Sequence, residues 1–283
     1  MTIEENNKTS SPTDDTMKKI CVLLRTQTGH DFSQYKDITL IHRIKRRMAL
    51  HQIRKPDQYF RFMYQNKVES DALFHDTFIG ATTFFHDPVA FEIIKKKVIP
   101  KLFSNETSEG VIRIWVCGCS TGEEAYSIAI LVQEYMESIK ESYKVQIFAT
   151  DIDKYSIEQA RSAIFPSNID IDVSPERLAR FFIHDSKEGF YHIRKSIRDL
   201  LVFSEHDVTK DTPFSELNLI SCRNTLLYMA RDLRSKLIPL FHYAIKPGGF
   251  LFMGTLETVE EFVTTFETVD SKWKIYHRKD IHS

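Results

Sequence analysis

Ile114-Trp115-Val116-Cys117-Gly118-Cys119-Ser120-Thr121-Gly122-Glu123-Glu124-Ala125-Tyr126-Ser127-Ile128-Ala129 decides the fold of this 283-residue chain. Residues 111–116 are apolar apart from Arg113 and rich in β-branched side chains, the composition of a strand covered on both faces of a parallel sheet. Gly118 and Gly122 permit backbone angles that other side chains forbid and leave room for a ligand against the main chain. Glu123 and Glu124 then open a helix, where free amides and the positive end of the dipole collect. Strand, glycine turn and helix start form the ligand-holding corner of a doubly wound α/β sheet.

The two acids choose among ligands. A dinucleotide site places pyrophosphate at this helix start, and Glu123 and Glu124 would repel it. They suit a nucleoside bearing hydroxyls or positive charge, and S-adenosylmethionine, a sulfonium with an α-ammonium group, has both. Residues 145–151, Val-Gln-Ile-Phe-Ala-Thr-Asp, read as the next buried strand. Asp151 at its carboxyl end is placed to accept from ribose hydroxyls, or alternatively to cap the helix expected over 154–163.

The hydrophobic share of 42% and charged share of 27% describe an ordinary globular protein, long enough for one large domain or a moderate one plus a small one. No apolar run reaches the roughly 20 residues of a membrane span, and residues 1–16 lack the apolar core of a signal peptide, so a cytoplasmic location is expected. Cys21, Cys117, Cys119 and Cys222 lack further ligands at metal-binding spacing and read as buried thiols. A net charge of −1 gives no case for nucleic-acid binding.

Residues 15–79 show helical periodicity with almost no strand signal, with helices expected over 17–25, 38–52, 57–65 and 69–79. In the second of these, Leu40, Ile41, Ile44 and Met48 recur on one face, while Arg43, Arg46 and Arg47 share another arc. That arc is either a solvated face or a docking surface for an acidic partner. The expected division is a disordered tail at 1–14, a helical domain at 15–88 and an α/β domain at 89–283. Within the latter, a helix over 91–102 leads to the strand at 111. Further strands are read at 217–222, 250–254 and 274–277, with a helix over 233–245 that stops at Pro247-Gly248-Gly249. The alternation breaks around 164–206, read as an inserted small β subdomain.

TTFFHDPVAF, IRIWVCGCSTGEEAYSIAI, IFATDID, the FSEHDV segment and LISCRNTLLYM occur in an order and spacing that resembles the CheR family, the S-adenosylmethionine-dependent methyltransferases of bacterial chemotaxis receptors. The likeness runs over residues 18–276 and looks closest to the methyltransferase part of CheB–CheR fusion proteins. It implies a class I methyltransferase fold, a Rossmann-like doubly wound sheet with a small β subdomain, preceded by an all-α domain. By similarity, Thr82 borders the methionine end of the cofactor, Glu124 its amino-acid part and Asp151 the ribose. Asp207 and Val208 lie near adenine, Arg223 and Asn224 line the pocket beside the reacting centre, and Tyr228 helps place the substrate. The implied reaction is methyl-ester formation on glutamates of chemoreceptor cytoplasmic helices, by a monomer that releases S-adenosylhomocysteine.

Three positions depart from the family pattern. Where relatives carry N-x-T-x-F-F-R, this chain has Gly80 for the asparagine and His86 for the arginine; His86 would then stand near the cofactor and the incoming carboxylate with fewer donors and no permanent charge. Asp207 replaces an asparagine. Gly80 and His86 favour an alternative, a non-catalytic S-adenosylmethionine-binding signalling module. An NAD-dependent enzyme is disfavoured by the acidic turn. Should the resemblance hold through Arg43, Arg46 and Arg47, these would meet the acidic receptor bundle.

Overall fold

The structure is a computed structural model that describes residues 12–32, 35–78, 82–105, 110–259 and 265–279. Two units divide the chain: residues 1–79 with 228–230, and residues 80–227 with 231–283.

In the first unit, helices α1 (Pro12–Thr28), α2 (Asp37–Leu50), α3 (Pro56–Gln65) and α4 (Lys67–Phe78) pack apolar faces together. Ile20, Leu24, Tyr59, Met63 and Leu73 are fully buried in that core. Helix α1 begins inside the stretch expected to be disordered; proline suits a first turn because no intrahelical donor is needed there. Residues 1–11 lie outside the described residues.

On α2, Leu40, Ile44 and Met48 are buried as the periodicity requires. Arg47, however, does not project with its neighbours. Its Nε and a terminal nitrogen donate to the two oxygens of Glu69 on α4, at 2.9 and 2.5 Å. Glu69, only 3% exposed, also accepts from the Tyr59 hydroxyl at 2.7 Å and contacts His51 Nε2 at 2.7 Å. Burial opposes ionisation of Glu69, but the hydrogen bonds from Arg47, Tyr59 and His51 outweigh it and hold its pKa below the ordinary value. The proposed arginine arc is thereby corrected: a buried carboxylate draws Arg47 inward, while Arg46 stays exposed.

The second unit starts earlier than the boundary expected at 88. Phe84 and Phe85 are buried in its core, and the Phe85 N–H donates to Ser127 Oγ at 2.9 Å. The helix expected over 91–102 is interrupted: α5 (Pro88–Ile93) passes through one π turn (Ile94–Val98) into α6 (Ile99–Ser104). Pro100 explains this, since it has no N–H for the Lys96 carbonyl and its ring crowds that carbonyl.

The central sheet is built from β1 (Val111–Cys117) and β2 (Lys144–Asp151), joined by α7 (Glu123–Ile139). After α8 (Lys154–Ser162), a three-stranded sheet in the order β3-β5-β4 is formed by β3 (Ile164–Pro166), β4 (Phe182–Asp185) and β5 (Phe190–Ile193), with α9 (Pro175–Phe181) between the first two. A short α10 (Lys195–Arg198) returns the chain to β6 (Leu201–Glu205). The remaining elements are β7 (Leu217–Cys222), α11 (Arg231–Ala244), β8 (Ile245–Met253), β9 (Phe266–Asp270) and β10 (Ile275–Arg278).

The seven main strands lie in the order β6-β2-β1-β7-β8-β10-β9, parallel except for β10, which runs antiparallel to both neighbours. The β subdomain is therefore smaller than the expected 164–206. Strand β6 pairs in parallel with β2 from Ile147↔Leu201 to Asp151↔Glu205, and Leu201 and Phe203 turn their alternate side chains into the main core. Trp115 on β1 is fully buried and donates from its indole to Thr150 Oγ1 at 2.9 Å, which fixes the β1–β2 register near the carboxyl ends.

Candidate active site

Strand order reverses at β1: the chain moves from β1 to β2 and β6 on one side, then to β7 and β8 on the other. In such sheets the crevice beyond the carboxyl ends at the reversal receives the ligand. The glycine turn lies there. Gly118 and Gly122 have φ of 72° and 99°, and a Cβ on Gly118 would fall 2.2 Å from Thr225 Oγ1, so this turn admits only glycine. The N–H groups of Gly118 and Cys119 both donate to the Thr150 carbonyl, at 2.8 and 2.9 Å.

Asp151 closes the turn from the β2 side. One carboxylate oxygen accepts from the Ser120 N–H at 2.8 Å and the other from the Asp153 N–H at 2.9 Å. The capping role left open for Asp151 falls instead to Asp153, which accepts from the Tyr155 N–H and Ser156 Oγ at the start of α8. Burial raises the Asp151 pKa against these bonds.

On the other side, Glu124 reaches across the reversal to β7. It accepts from Ser221 Oγ at 2.6 Å and from Arg223 at 3.3 Å. Arg223 is a buried strut: its side chain is 1% exposed, and it also donates to Asp87 Oδ2 at 2.5 Å and to the His86 carbonyl at 3.1 Å. Its guanidinium carbon stands 4.5 Å from the centroid of the Phe252 ring. The Arg223 guanidinium thus ties residues 86 and 87 and the start of α7 to the end of β7. Its Nε is buried and has no hydrogen-bond partner among the described residues.

The neighbouring acid, Glu123, is held by Thr121 Oγ1 at 2.7 Å and by the Thr82 hydroxyl, while burial raises its pKa. His86 is about half exposed, with Nδ1 3.4 Å from the same Asp87 oxygen that Arg223 holds. Phe85, Asp87, Ser120 and Asn224 all adopt positive φ, at 50°, 63°, 48° and 58°. Left-handed backbone is costly at most non-glycine residues; Gln52, Lys140, Ala163, Glu216 and Lys274 adopt it elsewhere among the described residues. Gly80 lies outside the described residues.

Asp207 and Val208 follow β6, tied to the same region by the His206 N–H donating to the Asp151 carbonyl at 2.9 Å. The Asp207 carboxylate accepts from Thr209 N–H and Oγ1 at 2.9 and 2.6 Å, so it shapes its own turn. Residues 228–230 group with the first unit, where the Tyr228 carbonyl accepts the Lys36 N–H at 2.8 Å. Arg43, Arg46 and Arg47 also belong to that unit. Among the described residues, no group of His, Cys, Asp or Glu could hold a metal ion.

Sequence reasoning missed Glu257. It is 2% exposed, and its carboxylate accepts from the backbone N–H of Gly254, Asn224, Leu226 and Leu227 at 2.7, 3.0, 2.7 and 3.2 Å. The only local signal is an acid three residues after Gly254, which says nothing about amides some thirty positions away.

A family model described as the CheR methyltransferase SAM binding domain matches residues 80–275, and one described as the CheR methyltransferase all-alpha domain matches residues 15–77. The chain belongs to the CheR methyltransferase family. Its relatives include a putative methyltransferase, Cher3, of Pseudomonas putida, 30% identical over 98% of this chain and 100% of that protein. The chemotaxis protein methyltransferase of Salmonella typhimurium is 28% identical over 88% of this chain and 85% of its own. An uncharacterized 104.1 kDa protein of Rhodobacter capsulatus is 32% identical over 93% of this chain, which spans only 27% of that relative. As a CheR protein the chain is an S-adenosylmethionine-dependent methyltransferase. The residues present fit that cofactor: Asp151 and Glu124 place acids at the two edges of a glycine-only turn.

Proposed function

We propose that this protein transfers the methyl group of S-adenosylmethionine to glutamate side chains on the cytoplasmic helices of chemoreceptors, forming methyl esters, and that it acts in the cytoplasm as a monomer. The observation that carries the reading is the placement of Asp151 and Glu124 at the two edges of the Gly118–Gly122 turn, in a chain matched by both CheR domains. Bound S-adenosylmethionine supplies an already activated methyl group on a sulfonium. A glutamate with a pKa of about 4.3 is already ionised at neutral pH, so no general base is needed.

What remains for the protein is positioning and exclusion of water. Asp151 accepts from the ribose hydroxyls and Glu124 faces the amino-acid end. Thr82 and His86, on the segment ahead of α5, border the reacting end, with Asn224 on the substrate side. Arg43 and Arg46 serve as the docking cations of the helical domain. No helix among the described residues is long and apolar enough to cross a membrane. Incubation with S-adenosylmethionine and receptor cytoplasmic fragments, followed by peptide mass mapping, should locate methyl esters on glutamates. Methylation confined to other residue types would overturn the assignment.

A further inference from the structure

Arg223 and the residues after it are held by different means. Arg223 is fixed by Asp87, Glu124 and the His86 carbonyl, all on the side of the glycine turn. Residues 224–227 depend on Glu257, whose single carboxylate gathers the N–H groups of Asn224, Leu226 and Leu227 together with that of Gly254. Asn224 turns the chain there with a left-handed φ of 58°, which asparagine adopts more readily than most residues. Gly254 supports the arrangement sterically: a Cβ there would lie 2.4 Å from Asn224 Oδ1 and 2.8 Å from Glu257 Oε2.

We propose that Glu257 is a positioning residue for methyl transfer, setting the backbone of Asn224–Leu227 and thereby the substrate side of the site, while leaving the cofactor side to Arg223 and Glu124. The carboxylate is the fitting group, because it is acceptor-only and can receive all of these donors. An amide in its place presents its NH2 to amide N–H groups and loses part of the set. The inference rests on the methyl-transfer reading for its kinetic consequence and on the hydrogen bonds alone for its structural one.

The test compares wild type with Glu257→Gln, Glu257→Asp and Gly254→Ala. Native-state hydrogen exchange should show the amides of Leu226 and Leu227 exchanging about tenfold faster or more in Glu257→Gln while β7 and β8 keep their protection, the mark of local opening. Calorimetric affinity for S-adenosylhomocysteine should stay within about threefold, whereas kcat for receptor methylation falls by about tenfold or more. Glu257→Asp should recover part of kcat. Gly254→Ala should reproduce the Glu257→Gln defect, and the double variant should be little worse than either. Unchanged exchange at Leu226 and Leu227 would overturn the proposal, as would a loss of affinity equal to the loss of kcat. Should wild type methylate no receptor, the methyl-transfer reading falls and the exchange rates still decide the role of Glu257.

Discussion

Glu124, on the first turn of α7, and Arg223, just beyond β7, form an ion pair of 3.3 Å across the point where strand order reverses. The two residues join the helix that follows one strand to the end of its parallel neighbour, and so fix the width of the crevice between them. The proposed function puts the nucleoside cofactor between this pair and Asp151, on the far side of the glycine turn.

The first prediction concerns affinity. If Asp151 and Glu124 accept from charged or hydroxyl groups of the cofactor, each replacement by Ala should lose about 1.5 to 3 kcal/mol of S-adenosylhomocysteine binding. Calorimetry on variants whose circular dichroism matches wild type measures this. Unaltered affinity in both would remove the placement.

The second follows from the burial of Asp151, which raises its pKa. An unfolded aspartate titrates near about 3.9, so between that value and the higher folded one the free protein holds more protons than its unfolded chain. Its stability contribution from this group therefore declines as pH rises through that window. Ribose hydroxyls favour the ionised carboxylate, so cofactor binding should have the opposite slope: affinity weakens as pH falls through the folded pKa and levels off above it. Binding of S-adenosylhomocysteine as a function of pH checks the sign, and Asp151→Asn should flatten the curve.

The third concerns His86, whose ring nitrogen lies 3.4 Å from Asp87. An arginine there is always charged and can hold a carboxylate through two hydrogen bonds. His86→Arg should raise the methylation rate while changing cofactor affinity less. Equal or lower turnover from the variant would show that this protein steers the carboxylate by another arrangement.

The fourth separates two arginines on one helix. Arg47→Ala leaves the buried Glu69 carboxylate without its bidentate partner and should destabilise the helical unit by about 3 kcal/mol. Arg46→Ala should hardly move the melting temperature. In receptor methylation it should instead raise KM and lessen the dependence of KM on salt. A stability loss in Arg46→Ala equal to that in Arg47→Ala would contradict this division.

The parts of the fold that were legible in the sequence are those where local composition and final environment agree. Strand β1, its glycine turn and the acids of α7 lie within one contiguous run, and β2 and β7 are apolar because both faces are covered. The sequence of β6 does not reveal its sheet, because Leu201 and Phe203 alternate with Val202 and Ser204 in a pattern that fits a subdomain hairpin as well as an outer strand of the main sheet. Arg47 resembled its neighbours on a helical wheel; only Glu69, on a different helix, distinguishes it. Glu257 and the Ser221–Glu124 contact are long-range hydrogen bonds, and spacing carries no signal for these.

Transfer of tritiated methyl groups from S-adenosylmethionine to cytoplasmic fragments of the host's own chemoreceptors tests the central claim most directly. The account predicts label that is released as volatile methanol by mild base, as glutamate methyl esters require, and that is lost when Asp151 and Glu124 are both replaced by Ala. Base-stable label, or tight S-adenosylhomocysteine binding with no transfer to any receptor fragment, would contradict it.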